Sequence, residues 1–244
     1  DYGLVPKWDG SILFASRGCV WKCSFCAVPK LEGEIRPMEQ PIKELVYPSH
    51  TRIILWDNNI LAASNWPSVF DQLEEIGLEV DFNQGLDARF LSRKVAERLS
   101  KLEMNSIRLA YDTPSMKSHI KRAIQNLSDA GIRKRRIIVY TLYNHTDTPD
   151  DFFHRVLDLL EWGAASYPMR FEPLCTLEKN RYVSPKWDKR CLEMVADARR
   201  VIGYGGAFPP YEGLIKKLQK ARDFEEAFML RPIELESSIG GAAL

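Results

Sequence analysis

The chain has 244 residues, 45% of them hydrophobic and 27% charged, enough to bury one large core and ordinary for a single α/β barrel domain. With 34 basic and 33 acidic side chains the net charge is +1, so bulk electrostatics do not call for a nucleic acid or an anionic membrane surface. No apolar run is long enough to span a bilayer, no signal peptide is visible, and an odd count of 5 cysteines fits metal ligands and free thiols better than a disulfide framework. The expectation is a soluble, cytoplasmic protein. Because the chain opens at Asp1 and not at methionine, further sequence upstream is also expected.

Short apolar, β-branched runs alternate with longer segments of helical period, the pattern of βα units around a parallel sheet. Six strands are predicted, over Ser11–Ser16, Arg52–Asp57, Val80–Gln84, Ser106–Asp112, Arg136–Tyr143 and Ser166–Glu172. After the third strand, Leu91, Val95, Leu99 and Leu102 recur at helical spacing, and Ile120, Ile124 and Leu127 do so after the fourth. Ser92 suits a helix N-cap, Gly131 a helix stop, and Thr148-Pro149 a helix start. Beyond residue 175 the reading is a helix near Trp187–Val201, a turn-forming stretch over Gly203–Pro210 and a last helix near Leu214–Leu230. The division is therefore a core over residues 1–175 and a helical extension over 176–244 packed on it, with a frayed tail from about residue 236.

Chemistry concentrates in the loop after the first strand, Arg17-Gly18-Cys19-Val20-Trp21-Lys22-Cys23-Ser24-Phe25-Cys26. Its CxxxCxxC spacing offers three thiolates and leaves one position of a four-ligand centre open, and an open position is where a metal site does chemistry. The same residues allow a zinc knob, a thiol pair or buried structural cysteines. Zinc would need a fourth ligand, and His50, His119, His145 and His154 lie far along the chain without a partner at metal-ligand spacing.

In this loop the chain resembles the radical S-adenosylmethionine (radical SAM) superfamily. The resemblance implies an open (β/α)6 partial TIM barrel from about Ser11 to about Pro173, with a helical C-terminal extension. It also implies that Cys19, Cys23 and Cys26 hold a 4Fe-4S cluster while S-adenosylmethionine chelates the fourth iron, and that Phe25 lies near the adenine. The activity implied is reductive cleavage of S-adenosylmethionine to a 5'-deoxyadenosyl radical that takes hydrogen from a substrate. A low-potential electron donor such as flavodoxin or ferredoxin would then be a partner, and the substrate is unknown. Hydrogen abstraction alone and methyl or methylthio transfer remain equally open outcomes. A different class of function, a non-catalytic iron-sulfur or zinc-binding electron-transfer module, would use the same cysteines.

Parallel barrels place their sites at the C-terminal ends of the strands, which is where the cysteine loop falls. Asp57, Asn58 and Asn59 end the second strand, where many superfamily members carry a Gly-Gly-Glu-like segment that binds the methionine ammonium. A carboxylate and two amides can receive an ammonium, although Asp and Asn also favour turns. After the third strand, Gln84, Asp87 and Arg89 reach the same rim. Arg89 or Arg108 is a candidate for the methionine carboxylate, the alternative for Arg89 being an ion pair with Asp87. Period-two alternation turns Asp81, Asn83, Arg108, Asp112, Arg170 and Glu172 inward, where charges need a ligand or each other. Arg170 is accordingly a further cofactor candidate, or the partner of Glu172. Cys175 and Cys191 read as buried thiols, too few for an auxiliary cluster. The basic run Arg133–Arg136 falls at the opposite face and reads as a solvated loop.

Overall fold

The computed structural model describes residues 2–202 and 211–229. In chain order these form β1 (Gly10–Leu13), β2 (Ser16–Arg17), α1 (Val28–Leu31), β3 (Arg36–Pro37), α2 (Ile42–Leu45), β4 (Arg52–Leu55), α3 (Trp66–Ile76), β5 (Glu79–Phe82), α4 (Arg93–Leu99) and β6 (Ile107–Ala110). There follow α5 (Lys117–Asp129), β7 (Ile137–Tyr143), α6 (Pro149–Glu161), β8 (Ala165–Arg170), α7 (Lys189–Ile202), α8 (Tyr211–Lys220) and α9 (Phe224–Phe228). The six barrel strands pair in parallel and in chain order, β1-β4-β5 and β6-β7-β8, giving an open (β/α)6 partial barrel.

The six strands form two ladders, not one continuous ladder. Between β5 and β6 the wall is closed by single backbone bonds, Val80 N to Glu103 O and Leu86 N to Arg108 O, each 2.8 Å, and by the Arg108–Asp81 ion pair in the lumen. Gly85 turns the chain here with φ +85°, and a Cβ on it would stand 3.1 Å from Arg108 O, so the close approach of the two halves requires glycine.

The apolar periodicity maps onto burial. Leu91, Val95 and Leu99, together with Ile120, Ile124 and Leu127, are buried under the sheet, and on β6 and the residue after it Ile107, Leu109 and Tyr111 face the core while Arg108 and Asp112 face away. Helix starts follow the predicted caps: Ser92 Oγ accepts from Val95 N, and Thr148 and Asp151 form a reciprocal capping box. Gly131 has φ +88° just past α5, as a helix stop requires.

Three expectations need correction. The first strand stops at Leu13, and Ser16–Arg17 instead pairs antiparallel with Arg36–Pro37, because Asp57 draws off the N–H groups of Ala15 and Ser16. The last helix is broken into α8 and α9, because Asp223 caps a new helix by accepting from Glu226 N. Cys175 is exposed, not buried, on a loop whose base is tied down through Asn144 and Arg170 and whose tip, with Leu174 and Leu177, faces solvent. Cys191 is buried, as expected, and burial pushes its thiol up to about 11. The Gly203–Pro210 stretch, Leu230 and the tail from about residue 236 lie outside the described residues.

A second core joins the C-terminal helices to the barrel: Phe152, Val156 and Leu160 of α6 pack with Trp187, Leu192, Val195, Leu218, Phe224 and Phe228. Beside it Arg155, 1% exposed, donates to the carbonyls of Tyr111, Asp112 and Leu142 and to Asp147 Oδ2 at 2.5 Å. One guanidinium thus ties the C-terminal ends of β6 and β7 together. Replacing Arg155 by leucine removes the cation from the buried Asp147 carboxylate, which keeps only His145 N and Trp187 Nε1 on its Oδ1, and takes a donor from three carbonyls; it is expected to destabilise the fold by about 3–5 kcal/mol. The exposed Arg93–Glu97 pair of α4 is worth less than about 0.5 kcal/mol. Urea unfolding of Arg155→Leu and Arg93→Ala measures both; equal midpoints would contradict the clamp.

Candidate functional site

The loop that carries the three cysteines is fixed by a carboxylate that no motif announces. Glu32 accepts from Arg17 Nε and Nη2 at 2.9 and 2.7 Å, from Gly18 N at 2.9 Å and from Asn58 Nδ2 at 2.9 Å. The hydrogen bonds from Arg17, then Gly18 N and Asn58, hold the Glu32 carboxyl below its usual range against the opposing effect of burial. Gly18 has φ +79°, and a Cβ there would lie 2.2 Å from Glu34 O, so the loop can pass under the β2–β3 hairpin only as glycine. Cys19 N donates to Gly33 O at 3.2 Å and Cys26 N to Cys23 O at 3.1 Å, which curls the loop on itself.

Cys19, Cys23 and Cys26 line one cavity of about 340 Å³ at the C-terminal end of the barrel, together with Phe25, Asn58, Asn59, Gln84, Asp87 and Arg89. Most of the predicted site residues are therefore gathered in one place. Asp87 is the polar centre of the wall: it accepts from Trp21 Nε1 at 2.7 Å, from Asn59 Nδ2 at 3.0 Å and from Arg89 Nε and Nη2 at 2.7 and 2.9 Å. Burial pushes its carboxyl up, but the bonds and charge of Arg89 outweigh that and hold it below the usual range. The Arg89 guanidinium also stacks 3.8 Å over the Trp21 ring. The ion pair that the sequence left as the alternative for Arg89 is formed.

Three predicted residues stand outside this cavity. The Asp57 carboxylate is 3% exposed and accepts from Ala15 N at 3.1 Å, Ser16 N at 2.5 Å and Ser16 Oγ at 2.6 Å, so it serves the backbone. Arg108 pairs with Asp81 lower in the lumen. Arg170 lies 3.4 Å from Glu172 and donates to Asn180 O and Tyr182 O, anchoring the loop after β8.

Other cavity residues were missed. Trp21 and Met116 line the cavity, as does Asp112, whose carboxyl burial pushes up to about 6 although Arg155 and Arg89 pull it down. The alternation on β6 turned Asp112 inward without showing that it reaches the cysteines. Phe25 meets the His145 ring edge-on at 5.6 Å, and His145 meets Phe171 at 4.5 Å, so the cysteine loop is braced by the ends of β7 and β8.

The donor set suits a cluster. Among the described residues no three His, Cys, Asp or Glu side chains converge as ligands of a single ion. A cluster places each thiolate on a different iron, and Cys19, Cys23 and Cys26 line one cavity. Cys19 Sγ accepts from Trp21 N at 3.4 Å and from Asn59 Nδ2 at 3.6 Å, as a thiolate ligand would. Asn59 Oδ1 is buried without a partner, an acceptor left over beside the thiols.

No protein-family model matches the chain. In sequence it is similar to ribosomal protein uS12 methylthiotransferase RimO from Xanthomonas campestris pv. campestris, 22% identical over 244 residues, and equally to RimO from Xanthomonas oryzae pv. oryzae. The match covers 96% of this chain but 46% of RimO, so the chain spans about half the length of the curated relatives it matches. In structure it is similar to the radical S-adenosylmethionine methyltransferase TsrM from Kitasatospora setae, solved with cobalamin and a [4Fe-4S] cluster, with TM-score 0.52, 11% identity, and coverage of 66% of this chain and 36% of TsrM. What these likenesses show is the fold, the open partial barrel that the matched radical SAM structures share. SuiB from Streptococcus suis, solved with S-adenosylmethionine, has TM-score 0.50 at 13% identity, over 78% of this chain and 44% of SuiB. No helix among the described residues is long and apolar enough to cross a membrane.

The Glu32 clamp has a pH signature. A carboxyl held below its unfolded value stabilises the fold above that value and loses the contribution as the pH falls through the folded one. Glu32→Gln is thus expected to destabilise the cluster-free protein at pH 7, and the difference from the parent should shrink as the pH falls below the ordinary value of 4.5. Urea unfolding of both proteins at pH 7 and pH 4 checks this; a difference that does not shrink would mean that the contribution is not ionic.

Proposed function

We propose that the chain is the catalytic core of a radical SAM enzyme, with Cys19, Cys23 and Cys26 holding a 4Fe-4S cluster and S-adenosylmethionine on its fourth iron. The observation that supports this best is the placing of Asn59: it lines the cavity with the three thiols, its amide nitrogen lies 3.6 Å from Cys19 Sγ, and its Oδ1 is buried without a partner. When bound, the cluster and S-adenosylmethionine supply a one-electron cleavage to methionine and a 5'-deoxyadenosyl radical that takes hydrogen from the substrate.

The residues of the chain then have distinct tasks. Asn59 Oδ1 and the Asn58 amide receive the ammonium of the cofactor, and Asp57 acts from behind by holding the strand end that presents them. Arg89 keeps Asp87 ionised and, stacked on Trp21, faces the cofactor carboxylate, with Gln84 beside it. Phe25 offers its face and backbone to the adenine, and the half-buried Asp112 carboxyl suits a hydroxyl-bearing ribose. Arg108 and Arg170, held by Asp81 and Glu172, act on the shape of the lumen. A low-potential donor such as flavodoxin or ferredoxin would deliver the electron. Two of the matched proteins are named methyl or methylthio transferases, which makes group transfer the first outcome to assay. A simple electron carrier, the other reading, has no use for a polar cavity beside its cluster.

Anaerobically reconstituted protein is expected to bind about four irons and about four sulfides per chain. After reduction it should release 5'-deoxyadenosine from S-adenosylmethionine. Cys19→Ala, Cys23→Ala and Cys26→Ala should each abolish release, whereas Cys175→Ala and Cys191→Ala should not. Asn59→Ala should weaken S-adenosylmethionine binding about tenfold to a hundredfold, the worth of one charge-assisted hydrogen bond. Stoichiometric zinc without sulfide would overturn the proposal.

A further inference from the structure

The side-chain amide of Asn59 touches a carboxylate and a thiol at once. Its Nδ2 lies 3.0 Å from Asp87 Oδ2 and 3.6 Å from Cys19 Sγ. An ionised carboxylate only accepts hydrogen bonds, and the Asp87 carboxylate is paired with both Nε and Nη2 of Arg89 and takes the Trp21 indole N–H as well. Chemistry therefore dictates which way the amide is flipped: nitrogen toward Asp87 and the sulfur, oxygen away from both. Asn59 is 3% exposed, so no water competes for that N–H. Among the described residues the hydrogen bonds to thiol sulfur gather on Cys19, which takes the Trp21 backbone N–H at 3.4 Å as its second donor.

Hydrogen bonds to the sulfurs are among the levers that set the potential of an iron-sulfur cluster, because a donor favours the more negative, reduced state. Resting on the reading of the three thiols as cluster ligands, the geometry points to Asn59, oriented by Asp87, as a positioning residue that raises the reduction potential of the cluster through an N–H donated to the Cys19 sulfur. This role is separate from the Asn59 oxygen and is exercised without S-adenosylmethionine. It also makes the irons inequivalent, since the iron on Cys19 carries the ligand with two donors.

The test is a redox titration of anaerobically reconstituted full chain without S-adenosylmethionine, followed by the electron paramagnetic resonance signal of the reduced cluster. Iron content is measured in the same samples. Asn59→Leu is close in size and neutral, and Asn59→Ser is too short to span to the sulfur. At iron content equal to the parent, both are expected to lower the midpoint by up to about tenfold in the reduced-to-oxidised ratio, which is about 59 mV for a one-electron couple. Arg133→Ala, at the far face of the barrel, should leave the midpoint where it is. Unchanged midpoints in both Asn59 variants overturn the inference, and so does loss of iron from both, which would make the amide a prop for the loop. A parent that takes up no cluster overturns this inference and the proposed function together. A parent that cleaves S-adenosylmethionine while the variants keep its midpoint overturns this inference alone.

Discussion

The carboxylate of Asp57 decides where the first barrel strand ends, and the site depends on that ending. By taking the N–H groups of Ala15 and Ser16 it stops β1 from continuing its ladder with β4 and sends the chain into the β2–β3 hairpin. The cysteine loop hangs between the two short strands of that hairpin. Asn58 and Asn59 follow Asp57 directly, so the same residue that ends one strand sets the position of the amides at the end of its neighbour. Burial pushes the Asp57 carboxyl up, and its three hydrogen bonds offset part of that cost.

Three cations in and around the barrel are each held by an anion. Arg155 with Asp147, Arg108 with Asp81 and Arg170 with Glu172 each bring a cation to a buried or half-buried anion, and each ties together segments that are distant along the chain or belong to a loop. Such pairs are weak evidence of stability, since desolvation opposes the attraction, but removing one partner is costly. They act as registers for the wall. Asp87 differs, because its partners are a guanidinium, an indole and an amide converging on the cavity.

Strand and helix positions were readable because each barrel strand alternates or runs apolar and each crossover helix repeats its buried face, as Ile107, Leu109, Ile120 and Ile124 do. The three cysteines were readable from spacing alone. Glu32 was not, because a carboxylate that clamps a loop has no periodicity and no motif, and its partners Arg17 and Asn58 sit 15 and 26 residues away. Asp57, Asn58 and Asn59 looked alike as a polar cluster; only the fold shows that the first faces backbone and the other two face the cavity. The end of the first strand was misplaced for the same reason, since the ladder was broken by a side chain 41 residues downstream at Ser16. Cys175 was misjudged because cysteine is usually buried, and the clasp that turns its loop outward is made by backbone carbonyls.

The line between β5 and β6 divides the wall into two three-stranded halves whose backbones meet in two hydrogen bonds, backed by the Arg108–Asp81 ion pair, the Asn105–Glu79 hydrogen bond and a shared apolar core. The two halves face each other across the cavity like the leaves of a book. The cysteine loop, Asn58, Asn59 and Asp87 belong to one leaf, and Asp112 with the Arg155 clamp belongs to the other. The span from Asp87 to Asp112 thus crosses from one leaf to the other and sets one width of the cavity that lies between them.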